Sequence, residues 1–446
     1  MGSLLDGSSA RLPRARALAA ALATSLGTCA FLAAPVVARA HVEAVTNCED
    51  SGAGSLRDAV AAAASDDTIN FSSLSCGRIT LTSGAIAVTQ DTLSLQGPGA
   101  DVLTIDGYYG DRVFKHTGTG MLTLIDVTVA HGKYESNIAP VGGCIASAGD
   151  VQLISAVVTG CFVRGTGDTI ASGGGVYAAG DLSMLGTRLT ANIVNGASTL
   201  PSNAHGGGGV AHGSLYMKYG TISNNIAYTD INHVSGSGGL QAYGYASIES
   251  STISGNYAQF FGGIAIEGVA GGVITNSTIS GNSAHRISGV YTQAPLVVSN
   301  STIAFNLSAY GSGALFSQVD IELQSTIISG NETVAGIRAD DLAGADGIVV
   351  SGANNLIVAS AIPVPPDTIS ACPHLVPLDY NGGVTLTHAL RSDSPAIEHG
   401  NNALALDTDQ RGADRVSGAS ADIGAFEWNN SPGFGFRGGF EPVCDD

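Results

Sequence analysis

Short apolar stretches recur along the chain at a nearly regular interval. The phrase Ser-Thr-Ile-Ser-Gly-Asn occupies residues 251–256 and returns at 277–282, with close variants at 301–306 and 326–331. An aliphatic residue stands three positions before each of six asparagines, and these asparagines are 33, 31, 26, 24 and 25 residues apart. They are Asn192, Asn225, Asn256, Asn282, Asn306 and Asn331. A unit that recurs at such intervals predicts a solenoid.

A second phrase, two small residues followed by an apolar run, lies between the asparagines. Its copies begin at Gly142, Gly174, Gly208, Gly238, Gly262, Ser288 and Gly313. The apolar runs are short, alternate with polar positions and are rich in Ile, Val, Thr and Tyr, which is the pattern of strands and not of helices. Strands of successive units would pair in parallel, about 4.8 Å apart. We therefore predict an all-β fold, a right-handed parallel β-helix with a short N-terminal capping helix.

The asparagines are expected at tight corners of the coils. Asparagine tolerates left-handed backbone geometry, and amides that stack coil on coil can donate to and accept from one another. The six residues should therefore form a structural ladder. Residues 54–64 predict the capping helix, with Ser55 as N-cap, Asp58 completing a capping box, and Leu56 and Val60 covering the first coil.

The chain divides into five segments on this interpretation. They are a signal peptide (1–40), an N-terminal cap with the first coils (41–125), the β-helix coils (126–340), C-terminal coils with a cap (341–428) and a tail (429–446). Within the fourth segment, Asp409, Arg411 and Asp422 are expected to form ion pairs that close the last coil.

The first segment has the features of an export signal. Arginines precede an apolar run from Ala17 to Val37, and Ala38-Arg39-Ala40 is a small-x-small cleavage site that places the mature start near His41. An uncleaved anchor is the alternative, because the apolar run is long enough to span a bilayer. We expect no transmembrane segment after it, a monomer, and a location outside the cell or on a bacterial cell surface.

Charge narrows the range of partners. Removal of residues 1–40 takes away four arginines and one aspartate, which leaves 14 basic against 36 acidic residues and a formal charge of −22. This negative field excludes nucleic acid as a partner and disfavours polyanionic glycans.

Six cysteines remain after the signal segment. An even number in an exported chain predicts three disulfides, with 15 pairings open in principle. Proximity in sequence favours Cys48 with Cys76, Cys144 with Cys161, and Cys372 with Cys444. Metal binding is the alternative, but the spacing of a zinc site does not occur, and we expect no cofactor or metal.

Three stretches carry a family resemblance. The segment NCEDSGAGSLRDAV and the strands that follow resemble the N-terminal module of bacterial secreted β-helix proteins with a Ser-Leu-Arg-Glu-Ala-type motif, with Asp58 in place of the glutamate. The tail PLDYNGGVTLTHALRSDSPAIEHGN, with TDQRGADR and DIGAFE, resembles the choice-of-anchor Q domain. The middle coils are similar to repeats of polymorphic outer-membrane proteins. These resemblances imply an exported surface protein.

One face of the predicted coils carries candidate binding residues. Alternation along the strand after each small-residue pair should turn aromatic and amide side chains outward, where they could stack on sugar rings; a merely solvated face is the alternative. The residues are Tyr177, Gln241, Tyr243, Tyr291, Gln293 and Phe316.

No catalytic constellation is evident on this face. A glycosidase needs paired carboxylates, and a polysaccharide lyase needs a base beside groups that neutralise the substrate. The best catalytic candidates are His233, Glu267, His285 and Arg286. We therefore favour a secreted or cell-surface scaffold of the adhesin type, with a carbohydrate or another surface ligand as its partner. The alternative is a polysaccharide lyase or glycoside hydrolase that uses the same face.

Overall fold

The computed structural model describes residues 41–167, 169–196, 204–229, 235–310, 313–333 and 340–429. The predicted signal peptide, His233, Cys444 and most of the predicted tail lie outside these ranges. None of the helices in the described ranges is long and apolar enough to cross a membrane.

The described chain winds into a parallel β-helix, which confirms the predicted fold class. A full coil contributes one strand to each of four sheets, numbered here in the order in which the chain passes through them. Sheet 1 follows the small-residue pair, sheet 2 comes next, sheet 3 carries the Ser-Thr-Ile-Ser-Gly-Asn phrase, and sheet 4 follows the asparagine corner. Within each sheet, every strand pairs in parallel with the strand of the next coil.

The strand bounds in the described residues are as follows. Sheet 1 contains Ile86–Val88, Phe114–His116, Ile145–Ser147, Val176–Ala178, Gly209–Ala211, Leu240–Ala242, Ile264–Ile266, Val290–Thr292, Leu315–Ser317 and Leu342–Gly344. Sheet 2 contains Val42–Ala44, Thr68–Asn70, Leu93–Gln96, Met121–Ile125, Asp150–Ile154, Leu182–Leu185, Leu215–Lys218, Ala246–Glu249, Gly272–Thr275, Leu296–Ser299, Ile321–Gln324 and Val350–Ala353. Sheet 3 contains Arg78–Thr80, Thr104–Asp106, Thr128–Ala130, Val157–Thr159, Arg188–Thr190, Thr221–Ser223, Thr252–Ser254, Thr278–Ser280, Thr302–Ala304, Ile327–Ser329 and Leu356–Ile357. Sheet 4 contains Lys133–Ser136, Phe162–Gly165, Ile193–Gly196, Ile226–Thr229, Tyr257–Ala258, Ser283–Ala284, Leu307–Ser308 and Glu332–Thr333. A separate pair joins Ala171–Ser172 to Ala204–His205.

The capping helix spans Leu56–Ala62, and Leu56 and Val60 are buried at the start of the column. Ser55 Oγ accepts a hydrogen bond from the backbone of Asp58 at 3.2 Å, as an N-cap does. The reciprocal half of the predicted capping box does not form, because the backbone N–H of Ser55 donates to the carbonyl of Gly52 at 3.0 Å.

The asparagines stack one above another between sheets 3 and 4. Asn192 Nδ2 donates to Asn225 Oδ1, and the same step repeats at 2.9 or 3.0 Å along the ladder as far as Asn331. Each accepting oxygen also takes the backbone N–H of the preceding ladder residue. The ladder ends where Asn331 Nδ2 donates to Asp341 Oδ1 at 2.7 Å.

The expected left-handed backbone belongs to the residue before each asparagine. Gly255, Gly281 and Gly330 have φ of +65°, +65° and +69°, and Asn224 and Phe305 occupy the same position in their coils. The ladder asparagine itself does not adopt this left-handed conformation. Its side-chain amide forms the hydrogen bonds along the axis of the column. The prediction that the ladder residues supply the left-handed geometry is therefore wrong.

Two disulfides join the predicted partners, Cys48 with Cys76 and Cys144 with Cys161. The third predicted pair includes Cys444, which lies outside the described residues.

Residues 371–429 form a C-terminal strap that runs back along the outer face of sheet 3. Thr252 Oγ1 donates to the carbonyl of Leu386 at 2.6 Å, and Thr278 Oγ1 donates to Gln410 Oε1 at 2.6 Å. A small apolar cluster joins the strap to the column. Its members include Ala304, Ile327, Leu356, Leu375, Leu390, Ile423 and Phe426. The expectation that this segment closes the last coil is wrong, because its contacts are lateral; Ile362 and Val364 pack against the end of the column instead.

Buried ion pairs hold the strap together. Arg411 pairs with Asp409 at 2.7 Å, and Arg415 pairs with Glu427 at 2.9 Å. Asp422 instead accepts backbone N–H groups, including that of Trp428 at 2.6 Å. Asp422 therefore does not join the predicted ion pair of Asp409 and Arg411. The second ion pair of the strap is formed by Arg415 and Glu427 instead.

Candidate functional site

Two rows of side chains lie on the outer side of sheet 1. Strand pairing places Tyr177, Val210, Gln241, Ala265, Tyr291 and Phe316 at one register position. The residue two positions later begins the turn into sheet 2. In successive coils it is His212, Tyr243, Glu267, Gln293 and Gln318. Large polar and aromatic groups from different coils therefore share one strip of surface.

Five side chains form the His–Tyr–Glu cluster. Four of them come from these rows, Tyr177, His212, Tyr243 and Glu267, and the fifth is the neighbouring His205. The His212 ring stacks on Tyr243 with 4.8 Å between centroids, and Tyr177 lies on its other side at 5.3 Å. His205 Nδ1 hydrogen-bonds to the Tyr243 hydroxyl at 2.7 Å. The stacked rings form an apolar platform with polar atoms at its rim.

Gln241 lies beside the His–Tyr–Glu cluster and is only 1% exposed. Its Oε1 accepts from the Ser237 hydroxyl at 2.9 Å. The amide also lies against Tyr243 and Glu267, since hydrogen bonding to the Gln241 side chain lowers the pKa of both groups against the stronger effect of burial. Gln241 therefore supports the cluster from its buried side.

Burial shifts the pKa of three ionisable groups of the cluster toward the neutral form. Burial raises the pKa of Glu267, against a smaller opposing effect of the Gln241 side chain. Burial also raises the pKa of Tyr243, with Glu267 and Tyr177 adding to the shift. The pKa of His212 is lowered by burial. Perturbed pKa values that cluster in this way mark a candidate functional site.

A second aromatic group covers the neighbouring coils. Phe261 stacks on Tyr291 with 4.1 Å between centroids, and Tyr291 continues to Phe316 at 6.3 Å. Gln293 Nε2 donates to the Tyr291 hydroxyl at 2.9 Å. Tyr291 is 7% exposed as a result. This group is a packed cluster and not an open platform.

The prediction of a uniformly exposed face is therefore wrong for Gln241 and Tyr291. The segments just before the small-residue pairs fold over the outer side of sheet 1, and they bring Ser237 and Phe261 onto it. Tyr177, Tyr243 and Phe316 remain partly exposed, and Gln293 is exposed. The sequence period reports the direction of a side chain from its strand, but not whether another segment covers it.

The predicted catalytic candidates do not share one constellation in the described ranges. His285 and Arg286 are exposed. The His285 ring meets Tyr257 and Tyr310 edge-on, at 6.4 and 5.9 Å, while Arg286 lies 4.9 Å from the Phe260 ring centre. Glu267 instead neighbours Gln241 and Tyr243.

Sequence reasoning missed the two histidines of the cluster, His205 and His212, which are in neither set of candidate residues. The signal was present for one of them, because His212, Tyr243 and Glu267 occupy the same position in three successive units. His205 carries no such signal, since its contact with Tyr243 joins residues 38 apart in sequence. Among the residues that the structure describes, no three His, Cys, Asp or Glu side chains converge as a metal site would require.

Comparison with known proteins adds little to this geometry. No family model matches the chain, and no curated protein is similar to it. Among solved structures, the crystal structure of pectate lyase Pel9A is 13% identical, with a TM-score of 0.47 over 88% of this chain and 98% of that one. A likeness at this level carries no argument about activity, and the β-helix rests on the strand pairing described above.

Proposed function

We propose that the protein is an exported scaffold of the extracellular space or the bacterial cell surface, which binds a carbohydrate at the His–Tyr–Glu cluster without cleaving it. The observation that carries the proposal is the exposed ring of His212, which stacks on Tyr243 beside the half-buried Glu267. Sugars offer both features that such a site needs: hydroxyl oxygens that accept hydrogen bonds, and apolar ring faces that stack on aromatic side chains.

Export is supported by three features of the chain. Residues 1–40 have the pattern of a signal peptide, and the mature part contains two disulfides, which persist in oxidising compartments. The resemblance of the N-terminal segment to a Ser-Leu-Arg-Glu-Ala-type module and of the strap to the choice-of-anchor Q domain agrees with surface display. The formal charge of −22 after signal removal favours neutral sugars over uronates.

Binding without cleavage is favoured by the chemistry of the cluster. Hydrolysis of a glycosidic bond uses two carboxylates on opposite sides of the bond. Among the described residues, Glu267 is the one carboxyl of the cluster. A single carboxyl group cannot complete this mechanism.

The test is binding and turnover with one panel of neutral and acidic polysaccharides. We expect the mature protein to be retained on a neutral glycan without release of reducing ends or unsaturated sugars. His212→Ala, which removes the exposed ring of the platform, should weaken this binding about tenfold, equivalent to about 1.4 kcal/mol. Gln318→Ala, an exposed change in the second row of the same sheet, is the matched control. Retention on no glycan of the panel would overturn the proposal.

A polysaccharide lyase is the second candidate, favoured by the 2.7 Å contact between His205 Nδ1 and the Tyr243 hydroxyl. A His–Tyr pair of this kind can pass a proton during β-elimination. The raised pKa of Tyr243 opposes a role as base. Release of an unsaturated sugar, abolished in Tyr243→Phe with binding retained, would establish the lyase and reject the scaffold.

A further inference from the structure

The outer face of sheet 2 contains a groove with a volume of about 300 Å³. It crosses four successive strands, from Asp150–Ile154 to Ala246–Glu249. The coils that form it also carry much of the His–Tyr–Glu cluster, on the adjacent face. Its volume lies at the lower end of the range for small-ligand pockets, which suits a few sugar rings and not a folded partner.

The repeat itself forms this groove. Strand register places Gln152, Ser183, Tyr216 and Ser247 in one row across the four strands. Neighbouring strands lie about 4.8 Å apart, so a small serine on each side leaves both faces of the Tyr216 ring uncrowded. Tyr216 is 43% exposed. An exposed aromatic ring between two hydroxyls is a stacking platform with hydrogen-bonding groups at its edges.

A second row supplies polar groups beside this platform. Lys218 follows Tyr216 by two residues, and Lys218 Nζ lies 2.6 Å from Glu249 Oε1 on the next strand. Both side chains are partly exposed. The hydrogen bond to Glu249 raises the pKa of Lys218, so the ammonium group stays charged at neutral pH. The positive and negative charges of this pair compensate each other. The groove therefore has hydrogen-bond donors and acceptors but no net charge that would attract an ionic ligand.

The groove and the His–Tyr–Glu cluster adjoin along the chain. His212 belongs to the turn between sheets 1 and 2, and Tyr216 lies four residues later. Four residues of chain span at most about 14 Å. Tyr243 and Ser247 are related in the same way in the next coil. A ligand that binds at the cluster can therefore continue around the corner into the groove.

We propose that the groove is a second subsite for a neutral oligosaccharide, in which a sugar ring stacks on Tyr216 and hydroxyls meet Gln152 and the Lys218–Glu249 pair. The proposal rests on the carbohydrate function assigned to the cluster and extends it from a single sugar to a chain that crosses two faces of the β-helix. Long oligosaccharides should then bind more tightly than short ones of the same linkage.

The experiment measures the affinity of cello-, manno- and xylo-oligosaccharides of increasing length by calorimetry. Tyr216→Ala should weaken binding of the long oligosaccharides about three- to tenfold and leave the short ones unchanged. Tyr243→Ala should weaken both. Tyr380→Ala, which removes an exposed tyrosine of the strap, is the matched control and should change neither. Ser183→Tyr, which fills the groove and leaves Tyr216 in place, should reproduce the effect of Tyr216→Ala.

Each result decides between the two proposals. If Tyr243→Ala weakens binding while Tyr216→Ala and Ser183→Tyr behave like the control, the groove is not a subsite and the cluster stands. If only the groove variants weaken binding, the groove stands and the cluster loses its role. If the unchanged protein binds no oligosaccharide of any length, both proposals fail.

Discussion

The outer faces of sheet 1 and sheet 3 belong to the same coils, yet they present different side chains. On sheet 3 the outward position repeats as Thr252, Thr278 and Thr302, and all three are buried beneath the strap. On sheet 1 the equivalent position changes from coil to coil, as Gln241 and Tyr291 show. One face is covered by the chain's own C-terminal segment, and the other carries the His–Tyr–Glu cluster.

The difference shows how to interpret variation in a repeat. A threonine that returns in three successive coils gives the strap a hydroxyl to bond at each step, so repetition on an outer face indicates packing. A tyrosine, glutamine or glutamate that occurs once at its register position departs from the repeat and does not stabilise the column. Such breaks mark the site, and the stacked pair of His212 and Tyr243 is the clearest of them.

The largest expected effect on stability comes from removing Arg415, a buried arginine of the strap. Arg415→Ala leaves Glu427 without its partner in a buried position, which should destabilise the protein by about 3–5 kcal/mol. Urea unfolding followed by the fluorescence of Trp428, the single tryptophan of the chain, measures this in the strap itself. Arg188→Ala, which removes an exposed pair with Asp101, should change stability by less than about 1 kcal/mol. Equal losses in the two variants would contradict a specific role of the strap network.

Acid should also destabilise the strap, through His388. His388 is buried, accepts from Ser280 Oγ at 2.8 Å, and donates from Nδ1 to the carbonyl of Val376 at 2.7 Å. Burial lowers the pKa of His388 from 6.5 to about 4. The unfolded chain therefore binds the proton more tightly, and about 3 kcal/mol of stability, present above pH 6.5, is lost as the pH falls toward 4.

Unfolding measured across this pH range, again through Trp428, tests the acid effect. His388→Gln should flatten the dependence, because the amide does not titrate. His399→Gln changes an exposed histidine of the same strap and should leave the dependence intact. A loss of stability at acid pH that persists in His388→Gln would assign it to other groups.

A substitution in the asparagine ladder should lower the free energy of unfolding of the column that carries both faces. Asn256→Ala removes the acceptor of the Asn225 side chain and backbone and orphans these buried donors, at a cost of about 1–3 kcal/mol. Chemical unfolding of the mature protein is the measurement, and Gln318→Ala on the surface is its control. A change no larger than that of the control would show that the ladder follows from the coil geometry without stabilising it.

The smallest expected effect concerns Glu267. Burial raises its pKa above the ordinary 4.5, so the folded protein holds the proton more tightly than the unfolded chain. The stabilisation that comes from this tighter proton binding is complete below pH 4.5. It is lost as the pH rises through the raised pKa of Glu267. Glu267→Gln should remove this loss and be slightly more stable than the parent at neutral pH. A lower stability of the variant across the range would mean that the ionised carboxylate is the preferred native form.

Much of the column could be predicted from the sequence, because each coil contacts mainly its two neighbours. A strand that pairs only with the equivalent strand of the next coil needs the same residues at the same positions, so Ile253, Ile279 and Ile303 return with the period of the fold. The same reasoning applies to the amides of the ladder. The disulfide partners Cys144 and Cys161 are 17 residues apart, which proximity alone suggests.

The candidate site was only partly predictable. The rows on sheet 1 follow from alternation, and they contain Tyr177, Gln241 and Tyr243 as expected. The burial of Gln241, its pairing with Ser237 and the arrival of His205 at Tyr243 depend on segments that lie outside the strands and have no repeating pattern. The exposed platform of Tyr216 required the register of sheet 2 together with the knowledge that no segment of the described chain covers it.

By itself the sequence determined the coil: the strand chemistry, the small-residue corners and the asparagine that each turn repeats. The tertiary structure alone decided where the unrepeated C-terminal segment lies, which outer face it covers, and which side chains meet in the His–Tyr–Glu cluster. The physical reason is the range of the interactions. Contacts between neighbouring coils leave a periodic record in the sequence, whereas the contact of Gln410 with Thr278, 132 residues away, occurs once and leaves no period to detect.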